Sequence, residues 1–187
     1  MAMPEDAAGW TVAMIEALPD DGKRYEIIDG ELFVTPSPRT RHQHAVARLV
    51  RLFDEYLERA GGAVALVSPS DVRKGERTSV QPDVYVARVG EDGRVARPLY
   101  IRDLLLVIEV LSKRTARTDR QTKRDLYQSE GVGEYWIVDT DAWLIERWRP
   151  ADERPEVLAD RIEWAYGRAS AALVIDLPAF FAGLVRE

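Results

Sequence analysis

Two acidic residues stand inside segments that are otherwise apolar. Asp83 follows Pro82 at the start of one apolar run, and Glu109 interrupts the run LLLVIEVL at 104–111. A carboxylate buried in a strand is costly unless a cation or hydrogen bonds compensate its charge. A divalent metal ion held by Asp83 and Glu109 would compensate both, so this pair is the first candidate for chemistry.

The composition limits which metal ion such a site can hold. The 187 residues include no cysteine and only two histidines, His42 and His44. Disulfides, cysteine-based zinc and iron–sulfur sites and cysteine nucleophiles are therefore excluded. Oxygen ligands from Asp and Glu suit Mg²⁺, Mn²⁺ or Ca²⁺.

A basic segment further along the chain supplies a third candidate. Asp119, Lys123 and Tyr127 are spaced four apart in a predicted helix over 119–130, so they share one helix face. A lysine close to a metal ion can orient or deprotonate water and stabilise the transition state of phosphodiester hydrolysis. Tyr127 would support Lys123, and the backbone carbonyl of Val110 would be a further metal ligand.

Each of these residues also has an ordinary structural interpretation. Asp83 could cap the entry to its strand, and Glu109 could pair with an arginine such as Arg102. Lys123 could be a solvated helix residue paired with Asp119. The sequence has no Walker phosphate loop, nucleophile elbow or dinucleotide-binding glycine motif that would indicate another enzyme class.

Charge is unevenly distributed along the chain. The net charge of −6 argues against a basic nucleic-acid coat, yet the stretch 113–124 holds six cations and one acid. Such a strip could face phosphates, or it could be a solvated helix face. The candidates for phosphate contact are Lys113, Arg114, Arg117, Arg120 and Arg124.

The elements around these residues follow from hydrophobic periodicity and turn signals. We predict a hairpin over 25–34 with a type I′ turn at Asp29-Gly30, which leaves Glu31 just after the turn as an additional metal-ligand candidate. A helix over 40–60, capped by Thr40, would carry His44 in its first turn as a supporting residue. Further predictions are an N-terminal helix over 4–18, strands over 63–67, 80–89, 104–111, 135–138 and 143–148, strands near 157 and 162, and an apolar end over 173–185.

These motifs, taken in order, resemble the Uma2-type family, a bacterial branch of the PD-(D/E)XK restriction-endonuclease-like superfamily. They read YEIIDGELF, PSDVR, QPDVYV, LVIEVLS, DRQTKRDLY and GVGEYWIVD, and the resemblance spans about Trp10 to Trp148. It implies an α/β fold with a central mixed sheet flanked by helices. It also implies a site made of Asp83, Glu109 and Lys123, with Glu31 as the acidic residue from the N-terminal part.

The chain departs from the superfamily pattern at two places. The E-x-K signature would put a lysine at position 111, which is Leu111 here; members of this branch supply the lysine from the next helix, at Lys123. The segment 112–115 reads Ser-Lys-Arg-Thr where Ser-Pro-Ser-Thr is commoner, which adds charge and removes no ligand.

Together these observations predict one domain over 1–187 with a core at about 23–149. The leading hypothesis is a Mg²⁺- or Mn²⁺-dependent endonuclease that cuts DNA. One alternative is an inactive nuclease-fold module that binds nucleic acid or protein, with a homodimer formed through a sheet edge or the 143–148 hairpin as one form of it. The other is a hydrolase of small phosphoesters. No apolar run approaches the roughly 18 residues of a membrane span, and residues 1–9 lack a signal pattern, so we expect a cytoplasmic protein without membrane contact.

Overall fold

A computed structural model of the chain describes residues 9–35, 37–166 and 171–185. In these ranges the helices are α1 (Val12–Glu16), α2 (Thr40–Ala60), α3 (Ala116–Thr118), α4 (Arg124–Ser129) and α5 (Leu177–Ala182), with a 3₁₀ turn at Ile101–Asp103 and a π turn at Asp119–Lys123. The strands are β1 (Arg24–Ile28), β2 (Glu31–Thr35), β3 (Ala63–Val67), β4 (Val72–Arg73), β5 (Ser79–Val80), β6 (Val84–Arg88), β7 (Leu104–Val110), β8 (Glu134–Asp139), β9 (Leu144–Trp148), β10 (Glu156–Leu158), β11 (Arg161–Trp164) and β12 (Leu173–Asp176).

The central sheet of the described residues has six strands in the order β10-β9-β8-β7-β6-β3. All its neighbours are antiparallel except β7 and β8, which run parallel. Two parallel neighbours require a crossover of a dozen or more residues. Here α3, the π turn and α4 make that crossover, and they carry Lys123 back over the end of β7.

A smaller sheet in the order β2-β1-β5-β4 stands beside the central one. Its β1–β2 hairpin turns at Asp29 (φ 50°) and Gly30 (φ 88°), and two positive φ angles fit the predicted type I′ turn. The single strand predicted over 80–89 is wrong: β5 belongs to the small sheet and β6 to the central one. Proline has no N–H for a ladder, and Pro82 falls at the break, where the chain passes between sheets.

Alternate residues of the central strands face two separate apolar clusters. Helix α2 packs against one face, where Phe53 contacts Trp136. Helix α4 covers the other face, where Tyr127 packs against Tyr135. Side chains two positions apart on a strand lie on the same face of the sheet. Asp83 is two positions before Tyr85, and Glu109 is two positions after Val107, so both acids lie on the face that α4 covers.

Several predicted boundaries change in the structure. Thr40 is the first residue of α2 rather than its cap, and Arg39 occupies the cap position without a side-chain hydrogen bond to the helix. The helix predicted over 119–130 is α3, the π turn and α4 in succession. Of the N-terminal helix predicted over 4–18, the structure gives α1, and residues 1–8 lie outside the described ranges.

The arm predicted over 143–148 is an interior strand. β9 is paired with β8 on one side and β10 on the other, so it offers no free edge to a second copy. The edges of the central sheet are β10 and β3. Among the described residues, no helix combines the length and apolar character needed to cross a bilayer.

Candidate active site

The carboxylate of Asp83 is buried and held by three donors. Arg24 donates from Nη1 to Oδ1 at 2.9 Å, and His42 Nε2 and the Val110 backbone N–H each lie 2.9 Å from Oδ2. Burial alone would raise the pKa of Asp83, but the hydrogen bond and attraction of His42, the Arg24 charge and the Val110 N–H hold that pKa below its usual 3.8. Asp83 is therefore an anion at neutral pH, and His42 donates to it.

Lys123 lies between two carboxylates in the interior. Its Nζ is 2.9 Å from Oε1 of Glu109 and 2.9 Å from Oε1 of Glu26. The Tyr127 hydroxyl also donates to Oε1 of Glu109, at 3.3 Å. All four residues are buried, as is expected for Lys123 and Tyr127 if they share the inward helix face.

Glu26 is a member of the cluster that the sequence analysis missed. It lies in the middle of β1, where its Oε1 also accepts the backbone N–H of Gln81 at 2.7 Å. An acid between apolar neighbours in a predicted strand is the same signal that selected Asp83 and Glu109, and in the segment YEII it points to Glu26.

Two of the predicted supporting residues lie elsewhere. Glu31 is exposed at the first residue of β2, opposite Ile28 across the hairpin. His44 accepts the backbone N–H of Val185 at Nδ1, 3.1 Å away, near the C-terminal end of the described chain. The histidine that reaches the cluster is His42.

Val110 is present at the site through its N–H, which binds Asp83. Its carbonyl was the predicted metal ligand, and that role stays a prediction.

The balance of ionisable groups in this cluster is acidic. Four buried carboxyl groups, from Glu26, Asp83, Glu109 and Asp119, accompany two permanent cations, Arg24 and Lys123, so acids outnumber permanent cations. Burial raises the pKa of Glu109 well above 4.5, and the nearby Asp83, Asp119 and Glu26 carboxylates add to this rise against the opposing charge of Lys123.

Lys123 itself stays protonated in the folded protein. Burial opposes it, but the Glu109 and Glu26 carboxylates outweigh burial and raise the pKa of Lys123 well above 10.5. Lys123 is therefore a fixed cation at neutral pH.

A cleft of about 150 Å³ opens onto this cluster. Its floor includes Glu26, Asp119 and Lys123, and its rim includes Val34 and Arg114. The remaining lining residues are Phe33, Thr35, Thr115 and Thr118. The Lys123 ammonium and the two carboxylates are thus within reach of a small group that enters from solvent.

The basic strip divides into two parts. Arg120 is bound to Glu146 and Asp139, and Arg124 lies over the Trp148 ring. The other three cations, Lys113, Arg114 and Arg117, are exposed and lie toward the cleft end of the segment. Only this second part presents charge that is free of a carboxylate partner in the contacts of the described chain.

Comparison with known proteins identifies the group to which this architecture belongs. A family model described as "Putative restriction endonuclease" matches residues 12–165, which is most of the chain. The chain belongs to the Uma2 family. The resemblance found in the sequence is therefore confirmed, and the family description supports a nuclease-like function.

A solved structure gives the same result for the fold. The chain is similar to a protein from Anabaena variabilis ATCC 29413, described as "a putative nuclease belonging to DUF820", with a TM-score of 0.75 and 19% identity over 92% of this chain and 98% of that one. Likeness at this identity bears on the fold alone, and it confirms the predicted restriction-endonuclease-like architecture. No curated protein matches the chain.

Restriction-endonuclease-like families such as Uma2 generally use divalent metal ions. Within the described ranges, no three His, Asp or Glu side chains stand together as a ready-made metal site. The donor chemistry nevertheless fits, because Asp83 and Glu109 are hard oxygen donors in a cluster where carboxyl groups outnumber permanent cations. Mg²⁺ commonly takes one or two protein carboxylates and completes its shell with water and substrate phosphate.

Proposed function

We propose that this Uma2 protein is an endonuclease that hydrolyses DNA phosphodiester bonds with Mg²⁺ or Mn²⁺. One observation carries the proposal: Lys123 is buried as a cation between Glu26 and Glu109 at the floor of an open cleft. A buried ion cluster contributes little net stability compared with apolar packing, because its charges must be removed from water. A functional role would explain why the fold keeps it. Binding and cleavage of a phosphodiester provides one.

Asp83 and Glu109 would hold the metal ion, with the Val110 carbonyl as a further ligand. When bound, the ion would supply Lewis-acid stabilisation of the phosphate and a water of lowered pKa. Arg24 and His42 fix the orientation of Asp83 through both of its oxygens. These two residues are therefore positioning residues for the metal ligand.

Lys123 would act through its charge. A pKa well above 10.5 leaves no neutral amine to remove a proton from water at pH 7. Its ammonium instead would stabilise negative charge that builds on the phosphate in the transition state, in a site where water is largely excluded. The role in water deprotonation that the sequence suggested is thus the less favoured one.

DNA would approach over the exposed part of the basic strip. Lys113, Arg114 and Arg117 would contact backbone phosphates, since their charges are not committed to carboxylates in the described contacts. Arg120 and Arg124 would support the crossover segment rather than bind DNA, because each is already engaged.

A second candidate is an inactive module that keeps the fold to bind nucleic acid or protein. The saturation of Asp83 favours it, because both oxygens already carry hydrogen bonds. A homodimer formed through the β10 or β3 edge would belong to this alternative. A hydrolase of small phosphodiesters is the third candidate, and the modest size of the cleft favours it.

Calorimetric titration with Mn²⁺, followed by plasmid cleavage, tests the proposal. We expect the wild type to bind Mn²⁺ and nick supercoiled DNA, and the Asp83→Asn/Glu109→Gln double variant to do neither. Asp21→Asn/Glu55→Gln is the matched control, since both residues lie on exposed surface away from the cluster. Titrations are repeated with a short duplex present, because phosphate can supply missing ligands.

The outcomes separate the candidates. Absence of Mn²⁺ binding with and without duplex would establish the inactive module. Cleavage of a chromogenic phosphodiester without cleavage of DNA would establish the small-substrate hydrolase.

A further inference from the structure

Asp119 is a buried acid that has no role in the proposed mechanism. It begins the π turn four residues before Lys123, and it lines the cleft together with Lys123 and Glu26. π turns inside α-helices are rare, and many of those that do occur lie at functional sites.

The backbone of Asp119 is fixed on both sides. Its N–H donates to the Thr115 carbonyl at 2.8 Å, and its own carbonyl accepts the Tyr135 hydroxyl at 3.1 Å. The Thr115 side chain favours the charged form of the carboxyl group and so lowers its pKa. The carboxyl group is therefore held at the cleft floor and is 2% exposed as a residue.

Hydrolysis of a phosphodiester needs a proton for the oxygen that leaves. Lys123 is committed to two carboxylates, and Asp83 is an anion that accepts three hydrogen bonds. Arg24 does not release a proton at any working pH. Among the buried groups that line the cleft, Asp119 is the carboxyl not paired directly with a cation in the described contacts.

The electrostatic setting of Asp119 suits this task. Burial raises its pKa to about 6, and the Asp83 and Glu26 carboxylates add to the rise, while Lys123 and the Thr115 hydrogen bond oppose it. A carboxyl with a pKa close to the working pH can give up a proton and recover it.

We propose that Asp119 is the general acid of the reaction and protonates the leaving oxygen of the phosphodiester. The inference rests on the proposed function. Water forms a new O–P bond as the bond between phosphorus and the leaving oxygen breaks. The Asp119 proton passes to that oxygen, the attacking water loses one proton to solvent, and Asp119 recovers one from solvent through the cleft.

A comparison of leaving groups tests the role. An oligonucleotide releases an alkoxide that needs a proton, whereas the p-nitrophenyl ester of thymidine 5′-phosphate releases a stable phenolate that does not. Removing a general acid typically costs about 10²–10⁴-fold in rate. We expect Asp119→Asn to lose that much kcat on the oligonucleotide and to keep kcat on the nitrophenyl ester within about threefold.

Asp125→Asn is the matched control, because Asp125 is exposed in the same crossover segment. It should change neither rate. An equal loss on both substrates in Asp119→Asn would overturn the inference and leave the proposed function standing. A wild type that cleaves neither substrate would overturn both.

A measurement on the wild type covers the case in which Asp119→Asn does not fold. Proton donation to the leaving oxygen predicts a larger solvent deuterium isotope effect on oligonucleotide cleavage than on cleavage of the nitrophenyl ester. Equal isotope effects on the two substrates would overturn the inference.

Discussion

Replacing Lys123 by methionine would remove one charge and leave the volume of the side chain nearly unchanged. Lys123 is 4% exposed, and its Nζ lies 2.9 Å from a carboxylate oxygen of both Glu26 and Glu109. The variant keeps the apolar stem in place but strands two buried carboxylates without their cation. We therefore expect Lys123→Met to fold with much reduced stability at pH 7.

The magnitude follows from the cost of breaking a buried ion pair. Removal of one partner typically costs about 3–5 kcal/mol, because the remaining charge stays buried. Two carboxylates share Lys123, so the upper half of that range is expected. The pKa of Lys123 is raised in the folded state, so its contribution is complete below the unfolded value of 10.5 and is lost as pH rises through the folded value.

Urea denaturation followed by tryptophan fluorescence measures this loss, since Trp136 is fully buried in the α2 cluster. Lys23→Met is the control, because Lys23 is exposed and pairs with Asp21 on the surface. It should leave the denaturation midpoint unchanged.

Adding Glu109→Gln to Lys123→Met should restore part of the lost stability, because one stranded charge is removed. Contacting residues commonly show coupling of about 0.5–3 kcal/mol in such a double-mutant cycle. An unchanged midpoint in Lys123→Met, or strict additivity in the cycle, would refute this reasoning.

Two further predictions concern Asp83 and the basic strip. The pKa of Asp83 is held below 3.8, so its charge stabilises the fold above that pH, and this contribution is lost as pH falls through the folded value. Asp83→Asn should therefore lower the free energy of unfolding by about 1.5–3 kcal/mol at neutral pH, as expected for a hydrogen bond to a charged group. In thermal melts the difference in melting temperature from wild type should shrink in acid, and a difference that does not change with pH would contradict this prediction. Arg114→Gln should weaken DNA binding and reduce the salt slope by about 1, whereas Arg120→Gln should do neither in fluorescence anisotropy, because Arg120 is bound to Glu146 and Asp139.

The sequence was most informative where polarity conflicts with local structure. Asp83 and Glu109 are conspicuous because a strand pattern surrounds a carboxylate, and both are buried as that pattern implies. Glu26 also stands between apolar residues of a predicted strand, whereas Glu31 was selected for its position just after the turn at Asp29-Gly30. The turn at Asp29-Gly30 was predicted correctly, but the acid that reaches the buried cluster is Glu26, which lies before the turn.

Other features depend on contacts that no local pattern contains. Glu26 meets Lys123 only because the small sheet packs beside the crossover segment, and these residues are 97 positions apart. His42 and His44 are two positions apart on α2, about 200° around the helix axis, so the packing of α2 decides which of the two histidines faces Asp83. Helix periodicity likewise gave no sign of the π turn at Asp119–Lys123.

The ion pair between Lys123 and Glu26 joins two distant parts of the chain, in addition to balancing charge in the cluster. Bringing two points together across 97 positions carries an entropic cost that grows with the logarithm of the intervening length. A nascent chain that has emerged only as far as β7 already contains Glu26, Asp83 and Glu109, but not Lys123, the cation that Glu26 and Glu109 share. The charge balance of the cluster therefore depends on a residue that is synthesised after these three carboxylates.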